Sequence, residues 1–341
     1  MKIIIENKTY IYGLFLAFTG GGLANLIAIP LPWMLGPLIV IGFLTAINLN
    51  VKIPDSPRPL CRALLGCTIG ANFNPEVMHR ISEIGLSLII LPIFILTMIL
   101  FTSIYLKKVK KFNLKSSIFC SIPGGLNEMV ILGNEIGVNP RTMTLIHSTR
   151  IVVVVFFASL ILFFLPNELK SIPLEIDLFD NFQQLPATIF VSFFGYFLGK
   201  IINLPGYTIT GPMIFSAILH VFGLINAMPM YILIIVVQVI LGSVLGAQFK
   251  NISLKDIYGP VLSGIVTTLV ALIPLFIFVF ILLKLDYNLV SIILSYSPGG
   301  QSEMNILALS EGADMAFIST HHMFRVFMVI MFAALLQKYF K

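Results

Sequence analysis

Two glutamates, two histidines and two arginines sit within otherwise apolar stretches of this chain, and they come as two matching sets. The first set reads Pro123-Gly124-Gly125-Leu126-Asn127-Glu128-Met129, followed by His147-Ser148-Thr149-Arg150. The second reads Pro298-Gly299-Gly300-Gln301-Ser302-Glu303-Met304, followed by His322-Met323-Phe324-Arg325. The Pro, Gly, Gly, Glu, Met, His and Arg keep their offsets, each 175 positions from its counterpart, as Pro123 is from Pro298. A carboxylate in such surroundings can carry a proton or bind a cation. A charge at the bilayer centre costs ~2.5–3.5 kcal/mol on insertion scales, so Glu128 and Glu303 are read as functional by default. Arg150 and Arg325 stay charged and can hold a carboxylate bidentately, whether it belongs to a glutamate or to a solute.

The other members of each set have a plain reading beside the functional one. His147 and His322 stand three residues before the arginines on the same helix face and could relay protons. Packing or hydrogen bonding is the simpler role for both. Asn127 and Ser302 could be polar ligands, or could cap a helix restart. Beside that functional reading stands a plainer one, in which the glutamates and arginines simply pair with one another as buried clips. His321 neighbours His322 only in the second set, where Ile146 is its counterpart in the first. It receives no role from the sequence.

Proline followed by two glycines should break a helix, because the ring removes a donor and glycine tolerates non-helical angles. The breaks are therefore placed at Pro123, Gly124 and Gly125, and at Pro298, Gly299 and Gly300. Broken backbone at membrane depth survives only where protein or a water-filled cavity satisfies it. Amides freed at the restart favour an anion, a carboxylate or a polarised water. Paired interruptions in two halves are the best sequence pointer to a transporter's binding site.

The elements that must carry these breaks are long and apolar. The 341 residues are 58% hydrophobic and 11% charged, with a mean hydropathy of +1.00; a soluble domain carries roughly a quarter charged residues. Apolar runs recur at 10–29, 33–49, 58–73, 84–106, 115–137 and 142–165, then at 186–203, 208–226, 229–248, 259–284, 288–311 and 317–340. An all-α polytopic membrane protein follows. Residues 1–165 and 186–341 are expected to be homologous halves, with an acidic extramembrane linker over 166–185 that holds Glu168, Glu175, Asp177 and Asp180. Gly20, Gly36 and Pro37 match Gly195, Gly211 and Pro212, while Gly66 and Gly70 match Gly242 and Gly246. Small residues at that spacing let helices approach closely. Because the stretch from Phe15 belongs to the repeat, it is expected to be retained and not cleaved as a signal.

Lysine and arginine placement favours one topology. If the fifth segment of each half enters and leaves on one side, the halves are inverted repeats of five crossings each. Only Arg80, Lys170 and Lys284 then fall outside, with Arg62, Arg150 and Arg325 inside segments and the rest cytoplasmic. If that segment spans, the bias weakens and the acidic linker becomes cytoplasmic. Both termini are therefore expected on the cytoplasmic side of the membrane. Cys61, Cys67 and Cys120 have neither metal-ligand nor disulfide spacing and read as core residues. The run Lys107-Lys108-Val109-Lys110-Lys111 reads as a loop facing anionic lipid, and no direct nucleic-acid contact is expected.

On the duplicated Pro-Gly-Gly-x-x-Glu-Met around Glu128 and Glu303, the chain resembles the AbrB family of bacterial membrane proteins. That resemblance covers both halves. It implies a duplicated membrane module distantly similar to cation/proton antiporters and anion transporters, built from inverted repeats with broken helices. The family carries two labels, regulator of gene expression and ammonia monooxygenase. An oxygenase needs converging metal ligands, and His79 and His220 lie in unrelated positions, so no enzymatic activity, metal or cofactor is expected. The expectation is a transporter-like protein that moves a small solute with H⁺ or Na⁺ coupling. An indirect membrane-embedded regulator is the alternative.

Overall fold

The computed structural model of the chain describes residues 2–29, 31–47, 49, 51–73, 81–165, 179, 181–225, 228–248 and 254–340. Most of the acidic linker lies outside them, as do Arg80, Lys170 and Lys250 of the charge comparison. Among the described residues the fold is all helical. Its helices are α1 (Lys2–Leu26), α2 (Pro32–Ala46), α3 (Arg58–Ala71), α4 (Ile81–Lys108), α5 (Leu114–Ser121), α6 (Leu126–Asn134) and α7 (Pro140–Phe164). A short 3₁₀ turn, Phe182–Gln184, precedes α8 (Leu185–Ile201), α9 (Tyr207–Val221), α10 (Tyr231–Ala247), α11 (Leu254–Leu283), α12 (Leu289–Tyr296), α13 (Gln301–Ser310) and α14 (Met315–Phe340).

These helices gather into two compact units, each drawing one segment from either side of the chain's middle. The first unit takes Met1–Pro75 and Pro173–Leu254, and the second takes Glu76–Ile172 and Lys255–Lys341.

In the first unit α3 packs on α9, and α2 on α10. Glycine decides both contacts. A methyl group at Gly66 would collide with the carbonyl of Ile209, and one at Gly242 with the carbonyl of Met34. One turn on, Gly70 lies against Met213 and Gly246 against Leu38. The crossings are tied by Ser216 Oγ donating to Cys67 O (2.9 Å) and Thr45 Oγ1 donating to Gly246 O (3.1 Å).

Among the described residues four helices are long and apolar enough to cross a membrane, and all lie in the second unit: α4, α7, α11 and α14. On α4, Ile89, Ile93, Leu96, Leu100 and Ile104 recur every three or four residues and are all exposed. On α11, Ile273, Phe276, Ile277 and Phe280 are exposed likewise. Stripes of that length on a water-soluble surface would drive association; in lipid they are at home. The opposite faces bury Leu91, Phe94 and Met98 against Phe278, Tyr296 and Phe119 in one core.

Side-chain oxygens start the helices that carry the site. Asn113 Oδ1 accepts from Ser116 N (2.8 Å) at α5, and Asn288 Oδ1 from Ser291 N (3.0 Å) at α12. Asn139 does the same for α7, and Asp314 for α14. Left-handed residues recur at the same interval as the motif: Ala28 with Asn203, Leu31 with Gly206, Lys111 with Asp286, and Gly137 with Gly312. At one end the second unit is closed by polar contacts. Lys115 Nζ donates to Phe340 O (2.9 Å), and Gln337 Nε2 donates to Leu132 O and Glu135 Oε2.

Candidate functional site

Each Pro-Gly-Gly separates two short helices, α5 from α6 and α12 from α13. At 1.5 Å per residue each of these helices is only ~12–15 Å long, too short to cross a bilayer alone. The breaks fall where proline and glycine placed them, but for a different reason at glycine. Gly125 (φ −59°, ψ 137°) and Gly300 (φ −73°, ψ 146°) have ordinary extended backbone open to any residue. What glycine supplies is space. A β-carbon at Gly125 would overlap the Glu128 carboxylate, and one at Gly300 would overlap that of Glu303. A β-carbon at Gly124 would come within 2.7 Å of Met129 Cγ, and one at Gly299 within 3.0 Å of Met304 Cε. Glutamate at the third helical position folds back over its cap residue, as in a capping box, while the methionine fills the core beside the first glycine.

The arginines do not pair with these carboxylates. Among the described residues neither Glu128 nor Glu303 has an arginine within ion-pair distance. Arg150 Nη1 instead donates to Ile122 O (3.2 Å) at the end of α5. Arg325 makes the fuller set, with Nη1 on Ser297 O (2.6 Å) and Nη2 on Gly299 O (2.7 Å). Both guanidiniums are buried and lie within electrostatic reach of one another. A cation on the carbonyl end of a helix satisfies acceptors that the break leaves open and opposes the local dipole. In place of the alternative glutamate–arginine clip, the arginines are tied to backbone carbonyls.

The histidines act one turn further back. His147 Nε2 reaches Phe119 O (3.2 Å), and His322 Nε2 reaches Leu294 O (3.1 Å). A carbonyl only accepts, so Nε2 carries the proton in both rings; each Nδ1 has no hydrogen-bond partner. Both rings are fully buried. Thus α7 and α14 each hold a broken helix by a histidine and an arginine, through the same 28-residue span.

The two copies differ in polarity. Glu303 is buried at 9% exposure, whereas Glu128 is half-buried. Around Glu303, Gln301, Ser302 and Asn305 are buried as well. Asn305 is fixed at both ends, its Nδ2 on Gln301 O (2.7 Å) and its Oδ1 accepting from Ser319 Oγ (2.6 Å). Leu126 and Val130 occupy the matching places of the first copy. The side chain of Asn127 lies outside the described residues; its backbone is in the first turn of α6. Neither Asn305 nor His321 was legible as a site residue, because each belongs to one copy only. The polar excess of the second copy was the signal that could have found them.

A cleft of about 510 Å³ opens at the start of α12 and α14, lined by Ile84, Asp286, Asn288, Ser291, Asp314 and Phe317, among others. Among the described residues no three His, Cys, Asp or Glu side chains converge as a metal site would require.

Broken apolar helices carrying buried charge, on long helices with apolar outer faces, define a polytopic helical membrane protein. The chain belongs to the AbrB family: the family described as transition state regulatory protein AbrB matches residues 33–341. It is 23% identical to the uncharacterized protein YhjN of Bacillus subtilis, over 94% of this chain and 90% of that one. It is 24% identical to the Escherichia coli protein named "Putative regulator AbrB", over 89% and 88% respectively.

Proposed function

We propose that the chain is a secondary-transporter-like protein of the bacterial inner membrane, moving a small solute with H⁺ or Na⁺ coupling through Glu128 and Glu303. The observation that carries this reading is that both carboxylates sit at helix restarts, folded over glycine, while the arginines are engaged with backbone carbonyls. A carboxylate held that way and not neutralised by a guanidinium is left to bind an ion.

The contacts at the ends of α14 support inverted halves, 1–165 and 186–341, joined through the 166–185 linker. Lys115 at the start of α5, and Leu132 and Glu135 at the end of α6, all meet the last turn of α14. That favours a hairpin entering and leaving beside one end of α14. At the other end of α14, Phe317 meets Tyr287 just before α12, at 5.8 Å between rings. A second hairpin entering from the opposite side fits. The left-handed residues paired 175 positions apart agree with a duplication. Together with the positive-inside preference, this favours cytoplasmic termini. The reading assigns no enzymatic activity and no cofactor. The family description and the name of the Escherichia coli relative favour a second reading, a membrane-embedded regulator acting indirectly.

The deciding experiment titrates H⁺ and Na⁺ against the thermal stability of purified, reconstituted protein, wild type and Glu128→Gln/Glu303→Gln. Ion-dependent stabilisation lost in the double variant is expected. A variant that is less stable but responds to ions like the wild type would sink the coupling role.

A further inference from the structure

We infer that His321, which the duplicated motif does not contain, is a proton-binding site reached from the cleft at the start of α12 and α14. It deepens the proposed function by naming the proton as the ion, and its role as a coupling proton rests on that reading; the proton site itself does not.

The argument is a count of hydrogens in one buried network. His321 Nδ1 lies 2.7 Å from Phe317 O, so Nδ1 carries a proton. This is the reverse of the tautomer held by His147 and His322, and it leaves Nε2 as the nitrogen that can gain a proton. Nε2 lies 2.8 Å from Ser87 Oγ, which is itself 2.9 Å from Ile84 O. One hydroxyl hydrogen cannot serve both. With His321 neutral, Ser87 donates to Nε2. With His321 doubly protonated, Nε2 donates to Ser87 Oγ, and Ser87 turns its hydrogen to Ile84 O. Either state leaves every nitrogen of the ring bonded, so a proton enters at the cost of one hydroxyl rotation. Tyr296 Oη, donating to Ser87 O (2.5 Å), pins the serine backbone. Ser87, Tyr296 and His321 are all fully buried.

The two residues whose carbonyls close this network, Ile84 and Phe317, also line the cleft. That cleft presents two carboxylates, Asp286 and Asp314, which concentrate hydronium at its mouth. The proton passes from hydronium to the Nε2 lone pair and leaves water behind. Other titratable or charged groups face the ring as well. Tyr296 on α12 lies 5.8 Å from it between rings, and Tyr287 precedes α12. His322 and Arg325 follow on α14.

The test is histidine-selective ¹⁵N NMR of the full chain in lipid nanodiscs, titrated with acid. His321 is assigned by His321→Gln, or by its coupling to a labelled Tyr296 ring if that variant does not fold. The expected spectrum shows an Nδ1–H ring at high pH that gains a second N–H while the protein remains folded. Ser87→Ala should move that midpoint down by about one pH unit, since the hydrogen bond to the charged ring is the stronger one. A ring that stays singly protonated until the protein unfolds overturns the inference, and so does an unchanged midpoint in Ser87→Ala. If His321 titrates but Glu128→Gln/Glu303→Gln leaves ion stabilisation intact, the proton site stands and the coupling role of the glutamates falls. If the glutamates respond and His321 does not, the proposed function survives without this site.

Discussion

The carboxylate of Glu303 occupies the space that a β-carbon at Gly300 would need, and Glu128 stands in the same relation to Gly125. Gly300→Ala should therefore displace the carboxylate without altering the backbone angles, which alanine accepts. The expected result is loss of ion-dependent stabilisation comparable with Glu303→Gln, and a fall in stability of ~1–3 kcal/mol from overpacking. Gly85→Ala, whose β-carbon meets nothing within 4 Å, is the control. An ion response retained in Gly300→Ala would mean that the carboxylate works equally well elsewhere.

The arginines are predicted to be unequal. Arg325 holds two carbonyls and Arg150 one, at a longer distance. Lysine has three N–H donors but lacks the planar fork whose two ends reach these two carbonyls. Arg325→Lys should cost ~1–3 kcal/mol through the carbonyl it abandons, with Arg150→Lys costing less. Thermal unfolding in nanodiscs compares them; equal losses would contradict the fork.

Helix crossing in the first unit gives a prediction independent of any ion. Gly242→Ala sets a methyl group against the Met34 carbonyl, which belongs to backbone and cannot swing aside. A loss of ~1–3 kcal/mol is expected. Gly22→Ala, with open space around it, should be neutral or slightly stabilising.

The broken helices need their caps. Asn288→Ala removes the acceptor for Ser291 N at the start of α12 and should cost ~1 kcal/mol, while Asn288→Asp should retain most of it. Paired melting curves decide. An Asn288→Asp variant as unstable as Asn288→Ala would show that the amide serves something other than the cap.

How much of this was legible follows from what repeats and what does not. Apolar runs located the helices, because burial in lipid or core demands them wherever the chain crosses. Pro123 and Pro298 located the breaks, because a missing N–H acts locally. Partners were not legible: nothing in the spacing of Glu128 and Arg150 says that the guanidinium will choose Ile122 O over the carboxylate. Competition for a cation between a carboxylate and the open end of a helix is settled by geometry, not by residue type. The grouping into units was hidden for a related reason. Residues 1–165 are contiguous in sequence, yet α3 finds its packing partner in α9, through the Gly66 contact with Ile209.

If Glu128 and Glu303 bind ions as proposed, the unequal polarity of their surroundings would bear on how ions are told apart. An ion arriving at half-buried Glu128 can keep much of its hydration shell. One arriving at buried Glu303, whose neighbours Gln301, Ser302 and Asn305 are buried as well, would have to give up more of its water. Discrimination by size or charge needs that exchange, because fully hydrated ions look alike. On the proposed function, ion selectivity would fall to Glu303, and ready access to water to Glu128.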